Sequence, residues 1–473
     1  MKLSDYSRWH FIGIKGAGMT ALAELLIGLG KRVTGSDTAE VFYTDAILRR
    51  LKIPVATPFD STNLPPEAEA FVYSTAYSPE KNPELAAALA TGRLTLSYPE
   101  ALGALTREKM TLAVSGTHGK TTTSALLADV LRTAGTDPSA IIGSEIRSWG
   151  GSALAGHGPF LVIEADEYQN KLAQYQPFGV ILTSVDWDHP DFFPTVEEYE
   201  RVFADFLARV PRHGFAVVCG DHARAAFLAR DLGTARYTYG FLEGNDVRAV
   251  GYRVLSETER ADGLLQEFSV EFRGERIGPF RTRLAGRHNV ENALAVIATA
   301  IHLKLDRELV RQAIAAFSGT KRRFEYLGER NGALIYDDYA HHPAEIRATL
   351  AAFRDLYPDR FLRVIFHPHT FTRTRALLEE FAASFESADR VTVLDIYGSA
   401  RETRGGVSSQ DLVDRINRGF LDKADYAADR AQLVATLARE MGPNDVIITL
   451  GAGDVWQIAA ALLLETKKNK PIK

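Results

Sequence analysis

The feature that most constrains the fold is a glycine- and threonine-rich stretch at residues 115–123, Ser-Gly-Thr-His-Gly-Lys-Thr-Thr-Thr. It follows an apolar run from Met110 to Val114 that is typical of a buried strand, and a helical pattern begins near Ala125. A glycine-rich turn between such a strand and helix directs backbone N–H groups at phosphate oxygens. We therefore expect an α/β chain with a polyphosphate site at this turn.

The residue types in this turn fit phosphate chemistry. Gly116 and Gly119 let the backbone approach a ligand, Lys120 neutralises charge, and the Thr121 hydroxyl is placed to bind Mg²⁺. Val114 stands where the usual P-loop has glycine, so the match is to the shorter pattern G-T-x-G-K-T. The alternative is a purely structural turn, but such a turn has no need for Lys-Thr-Thr at a helix start.

Length and composition indicate a multidomain enzyme. A chain of 473 residues is too long for one hydrophobic core and suggests about three domains. Its single cysteine, Cys219, allows no intrachain disulfide, and the sequence has neither a secretory signal nor an apolar run of membrane-spanning length. The net charge of -5 argues against a nucleic-acid partner. We expect a cytoplasmic protein without membrane insertion, and the sequence leaves its oligomeric state open.

The first predicted domain, residues 1–107, begins as a nucleotide-binding βαβ unit. A strand from Trp9 to Ile14 leads into the turn Lys15-Gly-Ala-Gly18, a helix follows, and a second strand ends at Ser36-Asp37. The glycine spacing resembles a dinucleotide fingerprint. That signal is weak by itself, because a dehydrogenase would begin in the same way.

The second predicted domain, residues 108–318, carries the phosphate turn. Strands at 159–163 and 180–184 run into acidic and histidine residues, and residues 246–284 alternate as a small antiparallel part. Helical spacing returns at 288–303 and 307–317.

The third predicted domain, residues 319–473, follows a basic hinge and is again Rossmann-like. Four of its strands each lead into a polar cluster, at residues 337–343, 367–375, 395–397 and 451–454. Ligands bind beyond the carboxyl ends of parallel strands, so these clusters should share one face.

Several residues in the second domain are candidates for a metal and a nucleobase. Parallel neighbouring strands would bring Glu164 and His189 close to Thr121, which together suggest a magnesium site. Glu167 is open between a site residue and a surface acid. Asn289 and Asn292 lie one helical turn apart and can read a purine edge, although helix capping by Asn289 is nearly as good an explanation.

The hinge and the third domain supply further candidates. Arg322 and Arg323 lie at the domain junction, where a guanidinium reaches a γ-phosphate if the domains close, and the alternative is a solvated basic linker. A small zwitterion would suit four residues, Tyr339, His341, His369 and Arg373, because arginine holds a carboxylate and neutral imidazole accepts a proton. His342 and His367 are better explained as buried, hydrogen-bonded histidines.

In this order the motifs resemble those of the Mur ligase family, the ATP-dependent amide-forming enzymes of peptidoglycan precursor synthesis. The match spans nearly the whole chain and rests on HFIGIKGAGM, VTGSD, SGTHGKTTT, EADE, DWDHPD, LAGRHNVENA, GTKRRFEYLGE, YDDYAHHP, HPHTFTRTR, VSSQ and LGAGD. The resemblance implies a UDP-sugar domain, a central ATPase domain that uses Mg²⁺ or Mn²⁺, and a C-terminal domain that completes the ATP site and receives the amino acid.

The branch most resembled joins L-alanine to UDP-N-acetylmuramate. ATP would phosphorylate the muramyl carboxylate, and the alanine amine would attack the resulting acyl phosphate. The resemblance implies ATP-binding residues Gly116, Thr117, Gly119, Lys120, Thr121, Thr122, Asn289, Asn292, Arg322 and Asp338. It implies UDP-sugar-binding residues Gly13, Gly16, Gly18, Met19, Ser36, Asp37 and Ser74. It implies metal ligands Thr121, Glu164 and His189, amino-acid-binding residues Tyr339, His341, His369 and Arg373, and catalytic residues Lys120, His341, Arg373 and Arg322.

Alternatives to L-alanine addition stay open at this point. Thr370 stands where this branch usually has arginine, which leaves the amino acid undecided. The nearest alternative is a cell-wall recycling ligase that attaches a tripeptide to the same sugar nucleotide, against which Arg373 and Arg375 argue. More distant alternatives are a nicotinamide-dependent oxidoreductase and a P-loop regulator without chemistry. The helix at 196–207 contains no lysine, in agreement with the alanine-adding branch.

Overall fold

Three β-sheets organise the part of the chain that the computed structural model describes, which is residues 2–42, 44–260, 263–398 and 405–468. Short 3₁₀ turns lie at Leu3–Asp5, Ser61–Asn63, Tyr168–Gln174 and Glu257–Arg260. Within these residues, no helix combines the length and the apolar character needed to cross a bilayer.

The first sheet is five-stranded and parallel throughout. Its strands are β1 (Arg8–Ile12), β2 (Arg32–Ser36), β3 (Val55–Ala56), β4 (Ala70–Tyr73) and β5 (Leu94–Ser97). Their spatial order is β3-β2-β1-β4-β5. The accompanying helices are α1 (Ala17–Gly28), α2 (Asp45–Arg50), α3 (Pro83–Ala90) and α4 (Tyr98–Thr106). The order makes β1 central, so the turn after it lies where the strand order reverses, a position that favours ligand binding.

The second sheet has ten strands and a mixed pattern. They are β6 (Met110–Ser115), β7 (Ser139–Ile146), β8 (Gly151–Leu154), β9 (Phe160–Glu164), β10 (Gly179–Leu182), β11 (Phe215–Cys219), β12 (Ala235–Gly240), β13 (Val247–Val254), β14 (Gln266–Phe272) and β15 (Glu275–Thr282). The order is β15-β14-β13-β12-β11-β10-β6-β9-β7-β8. β14 and β15 pair antiparallel, as the alternation at 246–284 predicted, and β8 is antiparallel to β7. Helices are α5 (Lys120–Thr133), α6 (Val196–Leu207), α7 (Ala223–Leu228), α8 (Arg287–His302) and α9 (Arg307–Ala316).

The third sheet has six strands, numbered in chain order, and their spatial order is β16-β17-β21-β18-β19-β20. These are β16 (Glu325–Arg330), β17 (Ala333–Asp338), β18 (Phe361–Phe366), β19 (Arg390–Val393), β20 (Ala424–Tyr426) and β21 (Asp445–Leu450). Only β16 pairs antiparallel. Helices are α10 (Pro343–Leu356), α11 (Phe371–Ala376), α12 (Leu378–Ala383), α13 (Ser409–Gly419), α14 (Arg430–Glu440) and α15 (Trp456–Lys468). The four predicted polar clusters therefore follow adjacent parallel strands. The domain boundaries at residues 107 and 318 stay predictions.

Packing fixes the phosphate turn rigidly. Helix α5 is buried from Thr121 to Leu131 because it packs between the second sheet and helices α8 and α9. The first unit docks through Glu24 of α1, whose Oε2 accepts hydrogen bonds from the N–H groups of Ser152 at 2.7 Å and Ala153 at 3.2 Å. Both the phosphate turn and the neighbouring unit are thus held by buried contacts.

Candidate active site between the second and third sheets

The phosphate turn has the backbone that its sequence requires. Gly119 has a φ of +76°, and a Cβ added there would lie 2.6 Å from Oδ1 of Asn292. Any side chain would therefore be both strained and crowded. α5 begins at the next residue, Lys120, so its first N–H groups and its dipole face the turn. This end of the helix is built to receive an anion.

Lys120 lies at the centre of the turn. Its Nζ donates to the carbonyl oxygens of Gly116 and Thr117, at 2.5 and 3.1 Å, and to Oε2 of Glu167 at 2.9 Å. Burial would lower the pKa of Lys120, but the charges of Glu167 and Asp166 raise it instead. The ammonium group is therefore kept charged beside the N-terminus of α5.

Glu167 is deeply buried beside the phosphate turn. Its side chain is 1% exposed, so it is not a surface acid. Oε1 accepts a hydrogen bond from the Tyr199 hydroxyl at 3.1 Å, and that hydroxyl is 2.8 Å from Oγ1 of Thr117. Nε2 of His189 lies 3.9 Å from the same Oε1. Glu167 thus connects the phosphate turn to His189.

Thr121 and Glu164 meet as the parallel strand order predicted. The Thr121 hydroxyl donates to Oε1 of Glu164 at 2.6 Å, and Oε2 accepts from the N–H of Gly143 at 2.6 Å. Hydroxyl and carboxylate oxygens are ligands that Mg²⁺ prefers. Within the described ranges, no three His, Cys, Asp or Glu side chains cluster in a way that could hold a metal. The residues fit a Mg²⁺ ion that keeps water and phosphate oxygens as most of its ligands.

A cavity of about 270 Å³ opens beside the turn, between the second and third sheets. Asn289, Asn292 and Asp338 line it, as does Thr122. The Asn292 amide donates to Oδ1 of Asn289 at 3.0 Å and accepts from the Thr123 hydroxyl at 3.0 Å. These two amides therefore tie α8 to α5 along the cavity wall.

The carboxyl end of β17 brings Asp338 to the other wall of the cavity. Its carboxylate accepts from the N–H groups of Phe324 at 2.6 Å and Ala340 at 2.8 Å. Burial raises the pKa of Asp338 to about 6, although Arg323 and these hydrogen bonds oppose the shift.

The two hinge arginines point to different places. Arg323 lines the cavity, with its guanidinium 3.7 Å from Glu345. Arg322, which the sequence favoured for the phosphate, holds the loop after β21 by donating to the carbonyl oxygens of Gly451 and Gly453 and to Asp337. Sequence spacing alone could not show which of the two adjacent arginines faces the cavity, because a φ of +60° at Arg322 reverses the local chain direction.

The phosphate turn contains a functional histidine, His118, that its sequence pattern did not indicate. His118 is paired through Nε2 with Asp186 and through Nδ1 with Glu345 of α10, at 3.2 Å each. His222 contacts the other oxygen of Asp186 at 3.2 Å. Burial would lower the pKa of His118, but the nearby carboxylates of Asp186 and Glu345 raise it to about 9. His118 is thus a cation that bridges the second and third units.

This bridge predicts a pH-dependent stability. Because the folded-state pKa of His118 is about 9, above the ordinary value near 6.5, its contribution is complete below pH 6.5 and disappears as the pH rises through 9. In the wild type, the unfolding free energy should fall between pH 6.5 and 9.5, and about 3 kcal/mol of that fall should come from His118. We expect the fall to be smaller by this amount in His118→Asn. Urea unfolding at several pH values measures it. Parallel wild-type and variant curves would contradict the prediction.

The four residues predicted for a zwitterion come together after β17 and β18. The rings of Tyr339 and His341 are 5.2 Å apart, and those of His341 and His369 are 6.2 Å apart. Nη1 of Arg373 lies 3.3 Å from Nδ1 of His369. Burial lowers the pKa of His341 to about 3, so its imidazole is neutral. His342 and His367 are buried as predicted, and burial lowers the pKa of each to about 4.

Arg373 has a partner that the sequence did not suggest. Nε and Nη2 donate to the two carboxylate oxygens of Asp188, at 2.8 and 3.2 Å, and both side chains are nearly buried. The pair joins α11 to the loop after β10. In the sequence, the second aspartate of the motif DWDH, Asp188, was the only indication of this pair.

The residues predicted for a UDP-sugar surround the turn after β1. Gly13 has a φ of +85°, and a Cβ there would meet Ser74 and Tyr77. Asp37 accepts from the N–H of Lys15 at 2.7 Å. The remaining members occupy the start of α1 and the end of β2, namely Gly16, Gly18, Met19 and Ser36. The structure thus places all seven predicted residues at the carboxyl edge of the first sheet.

Comparisons with known proteins cover nearly the whole chain. Residues 8–110 match the Mur ligase family catalytic domain, residues 114–300 the Mur ligase middle domain, and residues 322–453 the glutamate ligase domain of Mur ligases. A UDP-N-acetylmuramate–L-alanine ligase of Desulfitobacterium hafniense is 39% identical, covering 96% of this chain and 99% of that one. One from a Geobacter species is 36% identical over 98% of each chain.

Solved structures agree with the fold. The UDP-N-acetylmuramate–alanine ligase of Thermotoga maritima has a TM-score of 0.81 at 26% identity, over 98% of this chain and 100% of that one. This similarity confirms the predicted three-part α/β fold class. A murein peptide ligase of Psychrobacter arcticus, with a TM-score of 0.70 at 24% identity, covers the same shares and is similar in fold alone. By sequence similarity over nearly its whole length and by the architecture of its three sheets, this chain belongs to the Mur ligase family.

Proposed function

We propose that the protein joins L-alanine to the carboxylate of UDP-N-acetylmuramate, with conversion of ATP to ADP and phosphate. The observation that carries the proposal is the naming of its relatives: proteins 36–39% identical over at least 95% of the chain are UDP-N-acetylmuramate–L-alanine ligases. An acyl phosphate forms first, and the alanine amine then displaces phosphate to leave the amide. The reaction belongs to peptidoglycan precursor synthesis and takes place in the cytoplasm.

The contacts around the phosphate turn support an assignment of roles. Lys120 and the N–H groups at the start of α5 hold the β- and γ-phosphates, because both present positive charge to one point. Thr121 and Glu164 would hold Mg²⁺, with His189, which lies beside Glu167, as a further ligand, and the ion would supply positive charge for the transferred phosphoryl group. Asn289, Asn292 and Asp338 hold the nucleoside, and Arg323 in the cavity takes the part first assigned to Arg322.

The cluster on the third sheet supports the amino-acid end of the reaction. Arg373 offers its planar fork to the alanine carboxylate while Asp188 shares it. His341, neutral because of burial, accepts a proton from the alanine ammonium group so that the amine becomes nucleophilic. A nicotinamide-dependent oxidoreductase would leave the buried pair of Lys120 and Glu167 without a purpose.

Amino-acid-dependent phosphate release tests the proposal. With UDP-N-acetylmuramate, ATP and Mg²⁺, we expect L-alanine to give the highest kcat/KM among alanine, glycine, serine and the murein tripeptide. The cluster around Arg373 can hold one free carboxylate next to one amine, which favours a small amino acid. Faster turnover with the tripeptide would indicate that the protein catalyses the recycling reaction instead. No turnover with any acceptor would contradict the proposal.

A further inference from the structure

One acid in the nucleotide cavity has no role in the assignment above. Glu291 lies on α8, three positions along the helix from His288 and four from Arg287, and it lines the cavity. Asn292, the next residue, faces Gly119 of the phosphate turn. Cys219 and Tyr239, at the ends of β11 and β12, line the same cavity, and the charge of Glu291 adds to the rise that burial causes in the pKa of each.

The sheet order sets how far Glu291 lies from the phosphates. Strands run in the order β12-β11-β10-β6, and the phosphate turn follows β6. Neighbouring strands are about 4.8 Å apart, so the end of β11 lies roughly 10 Å from the turn. A nucleotide whose phosphates bind at α5 and whose sugar lies near Asp338 would direct its base toward this end of the cavity.

The charged groups that face Glu291 already have partners. Asp221 accepts from the N–H of Phe241 at 2.6 Å and from the side chain of Asn245 at 2.7 Å. Arg287 stacks on the Phe241 ring, 4.0 Å from its centroid.

His222 is paired with Asp186 at 3.2 Å. Among the residues that the structure describes, none forms an ion pair or a side-chain hydrogen bond with the Glu291 carboxyl group. A partly buried carboxyl group that lines a cavity without a partner points to a ligand that supplies the missing donor.

We propose that Glu291 reads the nucleobase by accepting a hydrogen bond from the exocyclic amine of adenine. This inference rests on the proposed use of ATP. Guanine and hypoxanthine carry an oxygen at that ring position, and this oxygen would face the carboxylate as a second acceptor. Glu291 is therefore a specificity-determining residue for the base, separate from the groups that hold the phosphates.

The electrostatics of the cavity add a pH dependence. Burial raises the pKa of Glu291 to about 7, and the charge of Asp221 adds to the shift while Arg287 and His222 oppose it. Below that pH the carboxyl group is increasingly protonated and loses its negative charge as an acceptor. The KM for ATP should therefore rise as the pH falls from 8 to 6, whereas the KM for inosine triphosphate should not.

Two variants test the inference, Glu291→Gln and Glu291→Ala, compared with Glu308→Gln on the exposed face of α9 as a control. The readout is the ratio of kcat/KM for ATP to that for inosine triphosphate, at pH 6, 7 and 8. We expect both Glu291 variants to narrow this ratio at least tenfold and to remove its pH dependence, because glutamine can donate to the hypoxanthine oxygen and alanine contacts neither base. Glu308→Gln should leave the ratio unchanged.

Binding of ADP and of inosine diphosphate, followed by thermal shift, separates base recognition from chemistry. A wild-type preference for ADP that both Glu291 variants lose would support the inference even if turnover is low. A preference that persists in either folded variant would overturn it. Failure of the proposed function would look different, since wild-type protein would then release no phosphate with alanine whatever the base.

Discussion

Lys120→Ala should lower alanine-dependent phosphate release about a thousandfold, the largest catalytic effect that we expect from a single substitution. The ammonium group lies beside the N-terminus of α5 with its charge maintained by Glu167, whereas the other cation of the turn, His118, is paired with Asp186 and Glu345. Its interaction with phosphate strengthens as negative charge moves toward the leaving oxygen, so the loss should appear in kcat as well as in KM for ATP.

The same substitution also removes the partner of a buried acid. Glu167 is 1% exposed, and losing its ammonium partner while its charge stays buried should cost about 3 kcal/mol of unfolding free energy. The double variant Lys120→Ala with Glu167→Gln separates the two effects, because it should recover most of the stability and none of the activity. Recovery of activity in the double variant would mean that Lys120 serves only to neutralise Glu167.

A neighbouring lysine gives a matched control. Lys171 forms an ion pair with Asp166 at 2.5 Å, close to the same turn, but this aspartate is 38% exposed, whereas Glu167 is 1% exposed. Lys171→Ala should keep activity within about threefold of the wild type, since an ion pair whose acid is open to solvent contributes little. A thousandfold loss there would show that any change of charge in this region disables the enzyme.

Local patterns predicted the phosphate turn and its neighbours well. The turn, the strand before it and the helix after it are contiguous, so spacing alone defines them. Glu164 was placed next to Thr121 because parallel neighbouring strands end at one edge, and the hydrogen bond between them agrees. The antiparallel part at 246–284 followed from its alternation.

Contacts between distant segments could not be predicted in the same way. His118 meets Glu345 across 227 residues, and Arg373 meets Asp188 across 185 residues. No local pattern records which side chains face each other after three sheets pack together. Adjacent arginines at 322 and 323 illustrate a second limit, because a left-handed backbone decides which of them faces the cavity.

The pair of Asp188 and Arg373 should give the largest effect on stability. Its members are 7% and 5% exposed, and they join the second and third units through two hydrogen bonds. Removing either partner leaves the other charge buried and should cost about 4 kcal/mol of unfolding free energy at pH 7. Urea unfolding followed by tryptophan fluorescence measures it. Trp187 lies next to Asp188 in the chain and reports on this loop.

The pH dependence of this pair has a definite sign. Burial would raise the pKa of Asp188, but Arg373 holds it well below its usual range. Its contribution is therefore complete above the unfolded pKa of about 3.9 and decreases as the pH falls below that value. The stability difference between wild type and Asp188→Asn should accordingly shrink under acid conditions. A difference that grows as the pH falls would contradict this interpretation.

The pair of Asp188 and Arg373 should also affect the binding of the amino acid rather than that of the nucleotide. If Asp188 orients Arg373 toward the alanine carboxylate, Asp188→Asn should raise the KM for alanine about tenfold and leave the KM for ATP near its wild-type value. Arg373→Met should raise the KM for alanine further, because it removes the fork itself. Arg375→Met, two residues along the chain and exposed, is the matched control and should change neither KM nor stability. Equal increases in both KM values for Asp188→Asn would mean that the pair only holds the two units together, because loosening the units disturbs every ligand site between them.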